Sequence, residues 1–241
     1  MIGGSAEVAR TRSRSPEVTS PDASSGRYRH VVPTVLIIGA SRGIGLGLVD
    51  VHLRAGWQVV ATTRDGLPPI EHPDVTTFRL DVREEDQLQS LVSGLDGPVE
   101  RIIHNAGILR ASRSELMEVN TEAPIRVVEA LLDAGRLSQR GTVAIMTSQM
   151  GARRGRAGSL GDYGDSKAAL NDEFRKRSGR WSDAGAIAVV IHPGWVRTEA
   201  GGSAASIGVA ESVEGIIGVL DGLTAEDHGK FLTWDGRIHP W

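Results

Sequence analysis

The sequence predicts an α/β protein in which a doubly wound parallel sheet is covered by helices on both faces. Short continuous apolar runs recur along the chain, separated by longer segments of helical period, the pattern of strands buried on both sides. The first run leads directly into a glycine-rich turn and then a helix-like stretch. With 241 residues, 40% of them hydrophobic, the chain can build one substantial core and is short for two domains.

Residues 1–32 are rich in Ser, Arg, Pro, Thr and Gly, and they carry almost no periodic hydrophobicity. They cannot bury enough surface to offset chain ordering, so a flexible N-terminal extension is expected there. Its arginines, Arg10, Arg12, Arg14, Arg27 and Arg29, are diluted by Glu7, Glu17 and Asp22. One folded domain is expected over 33–241. Its first strand is Val35-Leu36-Ile37-Ile38, followed by the turn Gly39-Ala40-Ser41-Arg42-Gly43-Ile44-Gly45 and a helix through Leu46, Leu48, Val49, Val51 and Leu53. Further strands are expected at 58–62, 75–80, 101–103, 143–146, 187–191 and 230–233. No internal repeat of solenoid or propeller period interrupts this order.

The composition excludes several functions. A formal charge of −3 with mixed signs gives no field for nucleic acid or an acidic membrane surface. Without cysteine there is no disulfide or thiolate site, and the seven histidines include no pair at metal-ligand spacing, so no metal is expected. No stretch approaches the roughly 20 apolar residues of a membrane span, and the first residues lack the apolar core of a signal peptide. A soluble, cytoplasmic protein acting on a small molecule is the expectation.

The glycine turn is the first candidate site. Glycines let the backbone approach a pyrophosphate, whose charge is met by amides at the start of the following helix. Here they stand as Gly39, Gly43 and Gly45, with Ser41, Arg42 and Ile44 between them. About 20 residues onward, where an acidic side chain would select the ribose hydroxyl of NAD, the chain has Arg64. Arg42 and Arg64 could meet the 2′-phosphate of NADP through charge-assisted bonds. NADP(H) is therefore the favoured cofactor, and the adjacent Asp65 leaves NAD(H) open.

The second candidate site is Tyr163 with Lys167, fifteen and nineteen residues after Ser148. A spacing of four on a helix puts phenol and ammonium on one face, where the positive charge is expected to lower the tyrosine pKa. The pair is a plausible acid/base.

In order, the chain shows the Gly39–Gly45 turn, Leu80-Asp81-Val82, Asn105-Ala106-Gly107, Asn120, Ser148, Tyr163 with Lys167, and Pro193-Gly194-Trp195-Val196-Arg197-Thr198. This set resembles the short-chain dehydrogenase/reductase family over nearly all of 34–241. Gly201-Gly202 and the Asp235-Gly236 and Pro240-Trp241 pairs look like the C-factor-like short-chain carbonyl reductases. The resemblance implies a Rossmann fold with a seven-stranded parallel sheet. It implies that Asp81 and Val82 lie near adenine, that Asn105, Ala106 and Gly107 border the cofactor, and that Pro193, Gly194, Val196 and Thr198 border the nicotinamide. It also implies hydride transfer between nicotinamide and a carbonyl or alcohol carbon, with Tyr163 as proton donor, Ser148 bonded to the same oxygen, Lys167 on the nicotinamide ribose and Asn120 holding a water beside Lys167.

Two departures stand out. His104 precedes Asn105 where the family often has asparagine, and the Ser148–Tyr163 spacing is longer than in many members. The extra length falls in 151–161, whose Arg153, Arg154 and Arg156 could meet an acidic substrate or simply be solvated. The small-residue segment 199–207 is expected to form the substrate-side loop and to favour small or medium aldehydes and ketones. The Tyr163 helix offers one apolar stripe, Leu170, Phe174 and Trp181, which leaves monomer and homodimer both open. The leading function is an NADP-dependent oxidoreductase, and the alternative is a cofactor-binding regulatory protein with little turnover.

Overall fold

The structure, a computed structural model, describes residues 18–20, 29–154 and 161–241. The chain divides into two units, Met1–Val32 and Pro33–Trp241. In the first, strands β1 (Val18–Ser20) and β2 (Arg29–Val31) pair antiparallel, where no element was expected. The rest of the expected extension lies outside the described residues, as does Arg156.

The second unit carries a seven-stranded sheet with helices on both sides. Its elements in chain order are β3 (Thr34–Ile38), α1 (Gly43–Arg54), β4 (Gln58–Thr63), β5 (Val75–Arg79), α2 (Glu85–Gly94), β6 (Val99–His104), α3 (Arg113–Met117), α4 (Ala123–Asp133), β7 (Leu137–Met146), α5 (Asp162–Asp183), β8 (Ile187–His192), α6 (Val209–Gly222) and β9 (Phe231–Thr233). The spatial order is β5-β4-β3-β6-β7-β8-β9, and every adjacent pair is parallel. The chain winds outward from β3 through β4 to β5, then returns across β3 to begin the other half at β6. The order reverses between β3 and β6, where Ile38 lies opposite His104, and the carboxyl ends of these strands open a crevice of the kind that binds dinucleotides.

Strand alternation explains the two-layer core. On β3, Leu36 and Ile38 face one side with Ile102, Val143, Ile145 and Val190, where α2, α4 and α5 add Leu91, Val128, Leu131, Leu170, Phe174 and Trp181. Val35 and Ile37 face the other side with Ala61, Ile103, Ala144 and Val189, covered by Leu48 and Val49 of α1 and by Val213, Ile216 and Leu220 of α6. Side chains of period two on the strands thus meet helical stripes on each face. Each fully buried Leu or Ile contributes roughly 1.5–3 kcal/mol through removal from water. The α5 stripe of Leu170, Phe174 and Trp181 is buried within the chain.

Local signals set the helix boundaries. Ser112 caps α3 in a reciprocal box with Glu115, and Pro124 stands at the start of α4, which continues without a break from the preceding helical turn. Between these helices Glu118–Glu122 forms one π turn, a local widening that often marks functional sites, and Asn120 lies in it. No helix among the described residues is long and apolar enough to cross a membrane.

Candidate active site

The carboxyl ends of the strands carry almost every residue the sequence singled out. Gly39 follows β3, Arg64 follows β4, Asp81 lies just past β5, Asn105 follows β6, Ser148 lies just past β7 and Pro193 follows β8. A cavity of about 510 Å³ opens there. It brings together Ile44, Asn105 and Gly107 with Ser148, Tyr163 and Lys167, and its far wall is Pro193, Gly194, Val196 and Thr198.

The glycine turn is shaped by close approach. Gly39 has a φ of +84°, a conformation that side chains resist, and a Cβ there would lie 2.8 Å from the Ala106 backbone. A Cβ on Gly45 would lie 2.0 Å from the Gly39 carbonyl oxygen and 2.7 Å from Asn105 Nδ2. Asn105 Nδ2 donates to that same carbonyl at 2.8 Å, and the Gly39 N–H donates to Thr62 Oγ1 at 3.1 Å. The turn is therefore clamped from β4 and β6. No side chain caps α1 and no acidic residue stands in its first turn. Open helical amides beneath a side-chain-free turn fit the pyrophosphate of a dinucleotide.

Toward the other end of the crevice, Asp81 is ion-paired with Arg83, whose Nε and second guanidinium nitrogen donate at 2.9 and 2.6 Å. That pairing holds its carboxyl below the usual range. Val82 is buried, and its carbonyl accepts from Arg126 at 2.6 Å. Arg64 is exposed beside Asp65 and Asp81. Asp65 Oδ1 accepts from the Leu67 N–H at 3.1 Å, so this acid is engaged in its own turn. Arg42 is ion-paired with Glu199 in the loop after β8. Ser41, beside it, is exposed.

The Tyr163 end of the cavity is built by α5 and the ends of β6 and β7. Lys167 is buried, with Nζ donating to the Met146 carbonyl at 3.0 Å. A Cβ on Gly107 would lie 3.1 Å from Asn120 Oδ1 and 3.5 Å from Lys167 Nζ, so a side chain here would crowd Asn120 and touch Lys167. Asn120 is fully buried. Its Oδ1 accepts from the Ile108 N–H at 2.9 Å, and its Nδ2 donates to the Ile108 carbonyl at 2.8 Å and to Ser166 Oγ at 3.1 Å. Asn120 thus fastens the segment after β6 to α5. Ser148 accepts from the Met150 N–H at 3.1 Å and lines the same cavity as the Tyr163 phenol.

The electrostatics correct one expectation. Burial raises the Tyr163 pKa above its ordinary value, opposed by nearby Ser148, rather than Lys167 lowering it. Burial also brings Lys167 down to about 8, so it stays mainly an ammonium at pH 7 and loses its charge at a lower pH than an ordinary lysine. Desolvation dominates both groups. His104, buried behind Asn105, is held to about 3 by burial and then by the charge of Lys167. His192, on the cavity wall, is held to about 4, chiefly by burial. Both imidazoles are neutral near pH 7.

Several supporting residues escaped the sequence reading. Thr62, Ser166 and Asn171 hold the site from behind; Asn171 stands four residues after Lys167, a spacing that could have flagged it. Gln149 and Met150 also line the cavity. Arg153 points away from that role, paired with Asp172 on α5. Among the described residues no cluster could hold a metal ion.

A family model for short chain dehydrogenases matches residues 33–206. C-signal of Myxococcus xanthus is 35% identical over 156 residues, 60% of this chain and 94% of that protein. Two solved structures share the fold. A carbonyl reductase from Pseudomonas aeruginosa PAO1 in complex with NADP has 33% identity and a TM-score of 0.76, covering 88% of this chain and 100% of its own. An NADPH-bound carbonyl reductase from chicken fatty liver has 29% identity and a TM-score of 0.79, covering 87% of this chain and 94% of its own. With the matched segment spanning the glycine turn, Ser148, Tyr163 and Lys167, the chain belongs to the short-chain dehydrogenase/reductase family.

Proposed function

We propose that the protein is an NADP(H)-dependent oxidoreductase interconverting small or medium carbonyl compounds and alcohols, with Tyr163 as the acid/base. The observation that carries this reading is Ser148, Tyr163 and buried Lys167 lining one cavity at the crevice where the sheet order reverses. The nicotinamide, when bound, supplies or accepts the hydride. In the reductive direction the Tyr163 hydroxyl donates its proton to the developing alkoxide. Ser148 holds the same oxygen, and a donor so placed contributes roughly 3 kcal/mol to transition-state stabilisation. Burial favours the protonated phenol, which keeps the donor loaded at neutral pH. Lys167 binds the nicotinamide ribose, and a water held at Asn120 and connected to Lys167 returns the proton from solvent.

The choice of NADP rests on the end of β4. Asp65 is turned back onto the Leu67 N–H, leaving exposed Arg64 as the group offered to the adenosine ribose. The NADP-bound carbonyl reductases of the same fold agree with that choice. Ile108, Leu109, Met150 and Trp195 give the substrate side an apolar lining, which suits uncharged carbonyl compounds.

The test is oxidation of NADPH and, separately, NADH by wild type and Tyr163→Phe against a panel of aldehydes and ketones, with cofactor binding measured in parallel. The variant should lose roughly 10²- to 10⁴-fold in kcat with NADPH binding retained, the range that a positioned proton donor supplies. Binding of NADPH by wild type with no turnover on any compound would favour the regulatory alternative.

A further inference from the structure

The loop after β8 is bonded within itself. The Trp195 indole donates to the Gly201 carbonyl at 2.9 Å, the Gly201 N–H donates to Thr198 Oγ1 at 3.1 Å, and the Arg197 N–H donates to the Ile207 carbonyl at 2.9 Å. It forms one wall of the cavity through Val196, Thr198, Ala200 and Gly201. This preformed loop meets the glycine turn at two adjacent positions. A Cβ on Gly43 would stand 3.3 Å from the Thr198 methyl, and next to it Arg42 is ion-paired with Glu199, 157 residues away in sequence. Both partners of that pair are exposed, with side-chain accessibilities of 66% and 73%. The pair forms a clasp between the turn that takes the pyrophosphate and the loop that borders the nicotinamide end.

We propose that Glu199 is a specificity-determining residue that competes with the cofactor's 2′-phosphate for Arg42. The inference rests on the NADP reading above. A guanidinium binds a phosphate bidentately, and a phosphate near its dianionic state outcompetes a single solvated carboxylate. Binding of NADP therefore transfers Arg42 from Glu199 to the phosphate and frees the loop from the glycine turn. NAD carries no 2′-phosphate and cannot make that exchange. Glu199 weakens NADP binding by the strength of the clasp, and it links phosphate recognition at the adenosine end to the freedom of the loop at the reacting end.

Two readouts test this without turnover. Calorimetric titration of wild type and Glu199→Gln with NADP+ and NAD+ should show NADP+ binding about two- to fivefold tighter in the variant, the range an exposed ion pair supports, with NAD+ unchanged. In an Arg42→Ala background the same substitution should have no effect. Hydrogen–deuterium exchange of the ligand-free protein should be faster over 195–202 in Glu199→Gln. Saturating 2′,5′-ADP, which bears the phosphate and no nicotinamide, should give wild type the same faster exchange, and 5′-AMP should not. Wild type that binds NAD+ as tightly as NADP+ overturns the cofactor reading and this proposal with it. Wild type that prefers NADP+, with a Glu199→Gln variant of equal NADP+ affinity or a loop indifferent to 2′,5′-ADP, overturns this proposal alone. Equal gains for NADP+ and NAD+ also overturn it, because they indicate a general charge effect.

Discussion

Thr147 Oγ1 donates to Asn171 Oδ1 at 2.7 Å, joining the end of β7 to the helix that carries Tyr163 and Lys167. The same Asn171 donates through Nδ2 to the Gly151 carbonyl at 3.3 Å, and Gly151 is packed so closely that a Cβ would lie 2.6 Å from the Lys167 carbonyl carbon. Ser148 lies between these two anchors. Its position relative to Tyr163 is thus set by an amide that touches neither reacting group.

Asn171→Leu should therefore lower both stability and turnover. It leaves the Thr147 hydroxyl and the Gly151 carbonyl buried without their partner, at a cost of about 1–3 kcal/mol. For a domain of this size that is a fall in Tm of roughly 2–12 °C. Below the transition, kcat should drop while NADPH affinity stays near wild type, because Asn171 holds Ser148 and not the glycine turn. Thermal denaturation with steady-state kinetics on one sample checks both parts; unchanged kcat would show that Ser148 is fixed by other contacts.

What was legible in the sequence is what short spacing fixes. The Gly39, Gly43 and Gly45 pattern follows directly after a strand, so its backbone geometry is local, and Tyr163 and Lys167 share a helical face through covalent spacing alone. The sheet order was accessible for a related reason, since continuous apolar runs alternating with helices admit few windings. The pairing of Arg42 with Glu199 was not legible, because it spans the whole winding of the sheet. Nor was the environment of Tyr163. Spacing reveals that an ammonium is near but says nothing of how much water the surrounding strands remove, and desolvation decides the direction of both shifts. His104 shows the same limit: the sequence placed it beside Asn105, and only the fold shows that strand β6 buries it next to Lys167.

A third buried histidine predicts a pH dependence of stability away from the cavity. His52 Nδ1 lies 2.7 Å from the Leu48 carbonyl, which requires a proton on Nδ1, so Nε2 is the acceptor for Arg101 at 3.2 Å. Arg101 also donates to Asp221 at 2.8 Å and lies over the Trp57 ring. Burial, then Arg101, lower the His52 pKa from 6.5 to about 4. Between those values the unfolded chain binds the proton and the folded one does not, so stability rises with pH and is lost as pH falls below about 6.5. From pH 7 to 5 the loss attributable to His52 is about 2 kcal/mol. Urea denaturation of His52→Gln, which keeps an acceptor for Arg101 and does not titrate, should show a slope against pH that is flatter by that amount; an unchanged slope would mean that the other buried histidines carry the acid sensitivity.

The end of β4 carries the last prediction, concerning the cofactor's phosphate. Thr63 Oγ1 donates to the Leu67 carbonyl at 2.9 Å while Asp65 accepts from the Leu67 N–H, so this turn is closed by its own side chains and presents Arg64 outward. The neighbouring Asp81 is already neutralised by Arg83. Arg64 is then available to a 2′-phosphate, and a hydrogen bond to a charged group of this kind contributes about 1.5–3 kcal/mol. Arg64→Ala should raise the Kd for NADPH by roughly 10- to 100-fold and leave NADH within about twofold. Because the side chain is exposed and its removal empties no core, stability should change by no more than about 0.5 kcal/mol, so a lost affinity cannot be ascribed to unfolding. Equal loss for both dinucleotides would place Arg64 on a part of the cofactor that they share, and the choice between them would then fall to Arg42.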